Sequence, residues 1–570
     1  MKMKIAYTGL WLLAVLCICA CKKKQDFEYD NRPNTEPLTA SSARIVNMAG
    51  APQLTINGLK LTNFIPPDID GYFGADQTRG TIYFPETGRM GLTYAIPLQF
   101  VNANGWIDSI VFNSLGKRNG LPESRRFRAK DDFNDPHDYY YVRYRPNRAT
   151  YLDSLIAVPR SVSPPSNPAN FKIRLVNLSS PPDAFSVAGV YRKGPMSLAW
   201  ADGTPVTGVQ NVAPGTWSDY IEVPYGTYQF KVMDADGREV QGNSSFPLNT
   251  ITGTLMDFYG SPGVGGRSDT WLTYAPFKTF QPGGIYTIAV SMNYDCVIPT
   301  GNPNGETVNT EGNTFRIITD ISEPVNTTYA RLQAVNTIQG TDVQWLVNEK
   351  PLGQSLAFTR QTAYELYITG NYTIKATDKN GALLAQTTTA LQPGDNITAW
   401  LYTAKDGKAA IALAANNLSS KYYNGNAGEE GSYSMYKETT PNWIRFLNLC
   451  AELDEITFTT NNGQPFVPMS GSSATKATQH ILLGQPVTID PYAQLLLNIP
   501  GQILVYQSTP GVLPGNWQQQ VQPLKSTDFI ARTDLYKTTP LPNREPGFYT
   551  VALVGKTAGN ARMIIVKHNK

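Results

Sequence analysis

The chain has 570 residues, 41% of them hydrophobic, with 47 Gly, 41 Pro, 31 Tyr and a formal charge of +3. At about 150 residues per domain this is about four domains, and abundant turn residues without long amphipathic helices beyond the first twenty positions mark an all-β protein. Lys2 and Lys4 of an acid-free leader supply most of the net charge, so the remainder is near neutral and lacks the concentrated basic face that a nucleic-acid partner requires.

The leader is basic from Met1 to Lys4 and apolar from Leu10 to Leu16, and small residues precede Cys21 at the end of the run Ile18 to Cys21. It resembles the lipobox of bacterial lipoproteins. The resemblance implies that residues 1–20 are a signal peptide and that Cys21 carries lipid on its sulfur and its amino group. An uncleaved transmembrane helix is the alternative, but the apolar run falls short of the ~20 residues a span needs. Several acyl chains, at about 0.8 kcal/mol per buried methylene, anchor stably where one is marginal, so the expected partner is a membrane that the chain does not cross. Lys22 stands where inner-membrane retention in such lipoproteins uses aspartate, so the resemblance favours the outer membrane. The charged stretch from Lys22 to Asp30 favours the cell surface over the periplasmic face.

Residues 21–41 are polar and aperiodic and are expected to form a flexible tether. A first module, 42–160, opens at Ala43 to Asn47 and Leu54 to Gly58 and closes on a hairpin of Tyr139 to Tyr144 with Leu152 to Val158. Asp68 to Gly80 and the charge-dense Arg125 to Asp138 read as loops, which makes it the divergent copy. Ser161 to Asn170, with Pro164, Pro165 and Pro168, reads as a stiff linker. The second module, 171–324, opens at Phe171 to Asn177 and continues through Val223 to Val232, a turn at Asp234 to Gly237, and Pro282 to Val290. A Gly/Asn/Thr-rich insertion, Tyr294 to Thr314, precedes Phe315 to Thr319.

The third module, 327–418, is the tidiest. Strands are predicted at Tyr329 to Asn336, Asp342 to Asn348, Tyr364 to Ile368 and Asn371 to Thr377. The turn Asp378 to Gly381 is expected to take positive backbone angles at its Asn-Gly pair. Pro393 to Tyr402 and Ala409 to Ala415 then close the unit around Lys405 to Gly407. Asn416 to Asn442 is the longest candidate linker. The fourth module, 442–570, opens at Trp443 to Asn448 and closes with Pro546 to Val554 and Met563 to Val566. Seven or so short strands per unit predict tandem Ig-like antiparallel β-sandwiches. Asn47, Asn177, Asn336 and Asn448 each end an opening strand, where asparagine is expected because it accepts turn conformations.

These recurring words, with Val223 to Tyr228 and Ile368 to Tyr372 as the middle one, resemble a family of bacterial extracytoplasmic domains catalogued as domain of unknown function 4397. The second and third modules fit along their length and the fourth at both ends. The family has no established catalytic residues, so the resemblance implies a fold and an address without a chemistry.

No constellation of catalytic groups is legible, and no metal or cofactor is expected. His137, His480 and His568 lie apart, without a partner at ligand spacing. Asp131 to Asp138 could hold calcium, but it lacks the glycine and final glutamate of an EF-hand and reads as a solvated, self-paired loop beside Arg125, Arg126, Arg128 and Lys130. Ser473 to Lys476 matches a Ser-x-x-Lys motif with no companion motif and in a turn-rich context, so it reads as chance. Gly260 to Gly266 lacks the ending of a phosphate loop. Cys296 and Cys450 remain beyond the leader. An oxidising compartment would allow them to pair, whereas free cysteine also packs as a small apolar residue.

Among the tryptophans, Trp345 and Trp400 alternate with polar neighbours and are expected in the core. Trp217 and Trp517, in turn-rich sequence, are the candidates for stacking on a glycan. The sequence thus predicts a lipid-anchored, non-catalytic surface binding or structural array whose partner is an extracellular protein or polysaccharide. The first alternative is a glycan-binding accessory lipoprotein of a nutrient-uptake system; an enzyme ranks behind both.

Overall fold

The computed structural model describes residues 38–61 apart from 50 and 52, 81–85, 90–113, 125–147, 150–179, 194–240 apart from 238, 278–299, 307–418 apart from 417, 442–466, 474–494 apart from 490, 501–533 and 547–570. The leader with Cys21, the stretches Asp68 to Gly80 and Gly260 to Gly266, Trp271, and nearly all of 416–442 lie outside the described residues.

Each module is built from two sheets. In the third, the opening strand Tyr329–Asn336 lies between Glu365–Ile368 and Asn396–Thr403, with Ala409–Ala415 at the edge. The opposing sheet runs Lys350–Pro351, Val343–Val347, Gly370–Asp378, Leu383–Leu391. Val343, Trp345 and Val347 are buried while Gln344 and Leu346 between them are half-exposed, which is the period-two pattern of a strand with one face inward. The first and fourth modules repeat this order, the fourth adding Leu524–Lys525 beside Gln502–Thr509. In the second, the opposing layer is divided between Met196–Ala199, Lys231–Asp234 and Glu239–Val240 on one side and Gly226–Tyr228 with Lys278–Phe280 on the other. Among the described strands the pairings are antiparallel except one in each module: the opening strand runs parallel to the penultimate one. Periodicity carries no strand direction, so the sequence is silent on that pair.

The opening strands are buried on both faces. In Tyr329–Asn336 every residue after the first is buried. Leu332 and Ala334 face the sandwich core with Trp345, Ile374 and Leu401. The opposite face, with Val335, Trp400, Ala412 and Ala414, packs on Leu447, Leu449, Ala552, Val554 and Val566 of the fourth module. The first and second modules meet in the same way, Val46, Tyr140, Val142 and Val158 against Val176, Leu178, Ala289 and Ile318. The chain therefore forms two back-to-back pairs of sandwiches, each joined by a seam of outward-facing residues. Trp400 belongs to a seam, not to the sandwich core where the sequence reading placed it.

Close approach shapes the edge of the second seam. Gly484 takes φ +68° and a β-carbon there would stand 2.0 Å from the Tyr402 hydroxyl, so any other residue would be strained and would displace the Tyr402 ring. The pairs also touch each other: the Arg331 guanidinium lies 5.7 Å from the Tyr225 ring, Gln229 N–H donates to the Lys570 carbonyl at 3.0 Å, and Lys570 Nζ lies 4.5 Å from the Trp200 ring.

Several local expectations change. The opening strand of the first module is Ala40–Asn47, so Ala40 and Ser41 belong to a sheet and not to the tether. Arg126–Lys130, read as loop, is a strand paired with Trp106–Asn113. The stretch Tyr294 to Thr314, read as an insertion, continues the hairpin Ile285–Pro299 with Thr307–Thr319, whose pairing runs out to Pro299 opposite Thr307. At Asp378 to Gly381 only Gly381 takes a positive φ, 83°, because the Asp378 carboxylate holds the turn by accepting from Asn380 N–H at 2.8 Å and Ala382 N–H at 2.9 Å.

The proline stretch 161–170 is pinned. Glu222 accepts from Ser166 N–H at 2.5 Å, Ser166 Oγ at 3.0 Å and Asn167 N–H at 3.3 Å, and the Ser166 bond leads the effects that hold its carboxyl at about 2. Limited proteolysis is therefore expected to spare 161–170 in the wild type and to cut it in Glu222→Ala, because removal of the acceptor frees backbone that a protease can bind. Equal cutting of both proteins would show that the pin does not operate.

Candidate functional site

The four asparagines are the first feature that every module shares, and they do not take turn conformations. Each is buried and uses its amide to hold the chain where it crosses from one sheet to the other. Asn336 Nδ2 donates to the carbonyls of Thr341 at 3.0 Å and Leu356 at 2.9 Å, while its Oδ1 accepts from Ile338 N–H at 2.9 Å. Asn177 donates to Gly194 and Val212 and accepts from Ser179. Asn47 bridges Ala51 in both directions, and Asn448 joins Leu453 to Cys450. One amide supplies both donors and acceptors, so it satisfies buried backbone that no ladder reaches.

A second recurring constellation lies in the seams. Three positions meet there in every module: the residue three before the shared asparagine, its cross-strand partner on the penultimate strand, and the residue that follows the last strand. They are Arg44, Asp138 and Arg160 in the first module; Arg174, Thr287 and Asp320 in the second; Gln333, Thr398 and Asn416 in the third; and Arg445, Thr550 and His568 in the fourth.

In the first seam these groups form an ionic centre. Arg44 pairs with Asp138 at 2.6 Å and reaches Asp320 at 3.3 Å, and Arg160 pairs with Asp138 at 2.9 Å. Asp320 also accepts from Thr287 Oγ1 at 2.7 Å and Tyr220 OH at 2.9 Å, and the Arg174 guanidinium stacks 4.4 Å from the Tyr220 ring. Burial, then the Asp138 charge, push Asp320 up to about 6 against the pull of Arg174 and Arg44. Asp138 thus leaves the loop in which the sequence placed it: its side chain is 0% exposed. Asp131 of the same cluster is tied to Ser42, whose N–H and hydroxyl donate to it at 2.7 and 2.6 Å. Both bonds fall on Oδ1, and among the described residues no group of three or more His, Cys, Asp or Glu could hold a metal ion.

Among the described residues the equivalent positions of the second seam include no acid, and the Lys405–Asp454 pair joins the two modules only at the exposed rim. His568 Nε2 bonds Thr550 Oγ1 at 2.7 Å, and its Nδ1 faces Gln333 Nε2 at 2.9 Å and Tyr364 OH at 3.1 Å. Asn416 Nδ2 donates to Thr398 Oγ1 at 2.8 Å and Tyr364 OH at 3.0 Å. Burial, with Arg445 and Arg331 nearby, lowers His568 to about 3. Burial likewise pushes Tyr364 up to about 12. The sequence signal for all of this is a polar residue immediately after each closing strand, legible only once the four modules are aligned on their asparagines.

The remaining candidates stay apart. Trp217 and Trp517 are 38% and 52% exposed, on the edge strands Thr216–Trp217 and Val512–Trp517 of different modules. His480 meets Glu455 at the surface, and His137 accompanies Asp135. Ala474–Thr478 is a short helix and not the turn expected, with Lys476 exposed. Cys450 is a free, buried cysteine in the core of the fourth module. Among the described residues no helix is long and apolar enough to cross a membrane.

No family model matches the chain and no curated protein matches it. Among the solved structures that match, two show a faint likeness. A variant of BcpA, the major pilin subunit of Bacillus cereus, is 10% identical with a TM-score of 0.10, over 63% of this chain and 92% of that one. The Bacillus anthracis TIE protein is 9% identical with a TM-score of 0.12, over 82% of this chain and 63% of that one.

Proposed function

We propose that the chain is a non-catalytic lipoprotein of the cell envelope, anchored in the outer membrane by lipid on Cys21 and displaying its modules at the cell surface to an extracellular protein or polysaccharide. The observation that carries this reading is how the polar side chains are used. The buried groups that could do chemistry are closed into the seams, Asp138 and Asp320 bonded to arginine, threonine and tyrosine and His568 bonded to Thr550, Gln333 and Tyr364. Both faces of the opening strands are likewise occupied. What is left for a partner is the loops and the outer sheets, where rigid sandwiches carry recognition.

A glycan-binding role beside a nutrient-uptake system is the second reading, favoured by the exposed indoles of Trp217 and Trp517. Stacking on an aromatic face is worth roughly 0.5 to 1.5 kcal/mol beyond buried area. Trp217→Ala and Trp517→Ala are therefore expected to weaken binding to a polysaccharide panel about two- to tenfold, without a change in thermal unfolding. Cys21→Ser is expected to abolish lipidation and membrane fractionation. Retained lipidation in that variant removes the anchor, and turnover of any substrate by the wild type removes the non-catalytic reading.

A further inference from the structure

We propose that the seam between the third and fourth modules is an acid-opened joint triggered by protonation of His568, while the equivalent seam between the first and second modules stays closed.

The geometry makes His568 a poor place for a proton. Its Nδ1 lies 2.9 Å from the Gln333 amide nitrogen, which can only donate, and 3.1 Å from the Tyr364 hydroxyl, so the neutral ring accepts at Nδ1 from Gln333 and carries its hydrogen on Nε2, which donates to Thr550. A proton on Nδ1 sets donor against donor at Gln333. It also adds a charge where the facing charges are already positive: Arg331 from the opening strand of the third module and Arg445 from that of the fourth. Among the described residues the other titratable groups against this site are Tyr364 and, beside it, Tyr492, neither of which supplies a counter-charge in acid. Opening lets water solvate the imidazolium, so protonation and opening are coupled.

The sign follows from linkage. His568 is held at about 3, below its ordinary 6.5, so the closed seam binds fewer protons than the open one between those values. Closure is fully favoured above pH 6.5 and weakens by up to about tenfold per pH unit below it. The first seam responds the other way. Asp320, faced by Arg44, Asp138, Arg174, Tyr140 and Tyr220, sits at about 6, above its ordinary 3.8. A proton gained between those values relieves its repulsion with Asp138, so mild acid tightens that seam. Opening the second seam uncovers an apolar strip that includes Trp400, Leu447 and Leu449.

The test places reporters in both seams of the full chain: Ala552→Cys in the second and Ala289→Cys in the first, each buried in the wild type. Labelling by 4,4′-dithiodipyridine, which reacts with thiols in acid, is compared with the parent protein. From pH 6.5 to 4.5 the labelling rate of the thiol in the second seam, corrected for intrinsic reactivity, is expected to rise up to about 100-fold. No rise is expected for the thiol in the first seam, and none in the second when His568→Gln is added. A similar rise in the His568→Gln background, a flat profile in the second seam with His568 in place, or joint opening of both seams overturns the proposal. If His568→Gln does not fold, His137→Gln with His480→Gln leaves a single imidazole whose titration is read by NMR. Titration below pH 5 supports the proposal, and an ordinary value near 6.5 overturns it.

Discussion

Asn336→Ala is expected to destabilise the third module by about 3 to 5 kcal/mol, seen as an earlier transition in chemical denaturation. The amide serves three buried backbone groups, the carbonyls of Thr341 and Leu356 and the N–H of Ile338, and each group left without a partner costs roughly 1 to 3 kcal/mol. No rotamer of alanine reaches any of them, and water has no route to a side chain that is 0% exposed. Asn336→Asp is expected to be at least as damaging, because an acceptor-only carboxylate would face two carbonyls. Asn380→Ala, at an exposed turn position, is the control, with an expected change within about 0.5 kcal/mol. A change below about 1 kcal/mol for Asn336→Ala would mean that the loops close by other means.

The second large effect separates two tryptophans that look alike in sequence. Trp345→Ala and Trp400→Ala each empty a fully buried site, and such truncations cost about 3 to 5 kcal/mol. Trp345 lies in the core of the third sandwich with Val343, Ile374 and Leu401, so its loss is expected to unfold that module early. Trp400 lies on the other side of the same sandwich, against Leu447, Ala552 and Val554. Its loss is expected to leave the sandwich intact and to split one calorimetric transition, shared by the third and fourth modules, into two. A single transition, lowered equally by both substitutions, would mean that core and seam melt as one unit.

The contrast between these tryptophans shows what the sequence could reveal. Alternation of apolar and polar residues located the strands of the third module, and turn chemistry located the Asp234 and Asp378 reversals, because both signals are local. The seams were hidden because the strand keeps its alternation although both faces are buried: Arg331 and Gln333 alternate with Leu332 and Ala334 as on a solvent-facing strand, yet both are buried with Val335. Asn336 was visible as a repeated residue, but turn propensity and amide bonding predict the same letter there. Asp138 was assigned to a solvated loop because its partners Arg44 and Arg160 are distant in the chain, and only the fold brings them together. Trp217 and Trp517 lie at the surface, as their turn-rich surroundings suggested.

The parallel pairing of each opening strand has a consequence for timing. Its cross-strand bonds close large loops, 65 residues from Arg331 to Asn396, 94 from Arg44 to Asp138 and 113 from Arg174 to Thr287. Local hairpins such as Gly370–Asp378 with Leu383–Leu391 can form within microseconds, but the sheet that carries the seam cannot assemble until the penultimate strand has emerged and found the first. Long-range pairing of this kind slows folding. The opening strand, buried on both faces in the finished fold, can pair early with the nearer antiparallel strand, but its other edge must wait unpaired for most of its module's length, and during that interval the chain is most exposed to aggregation.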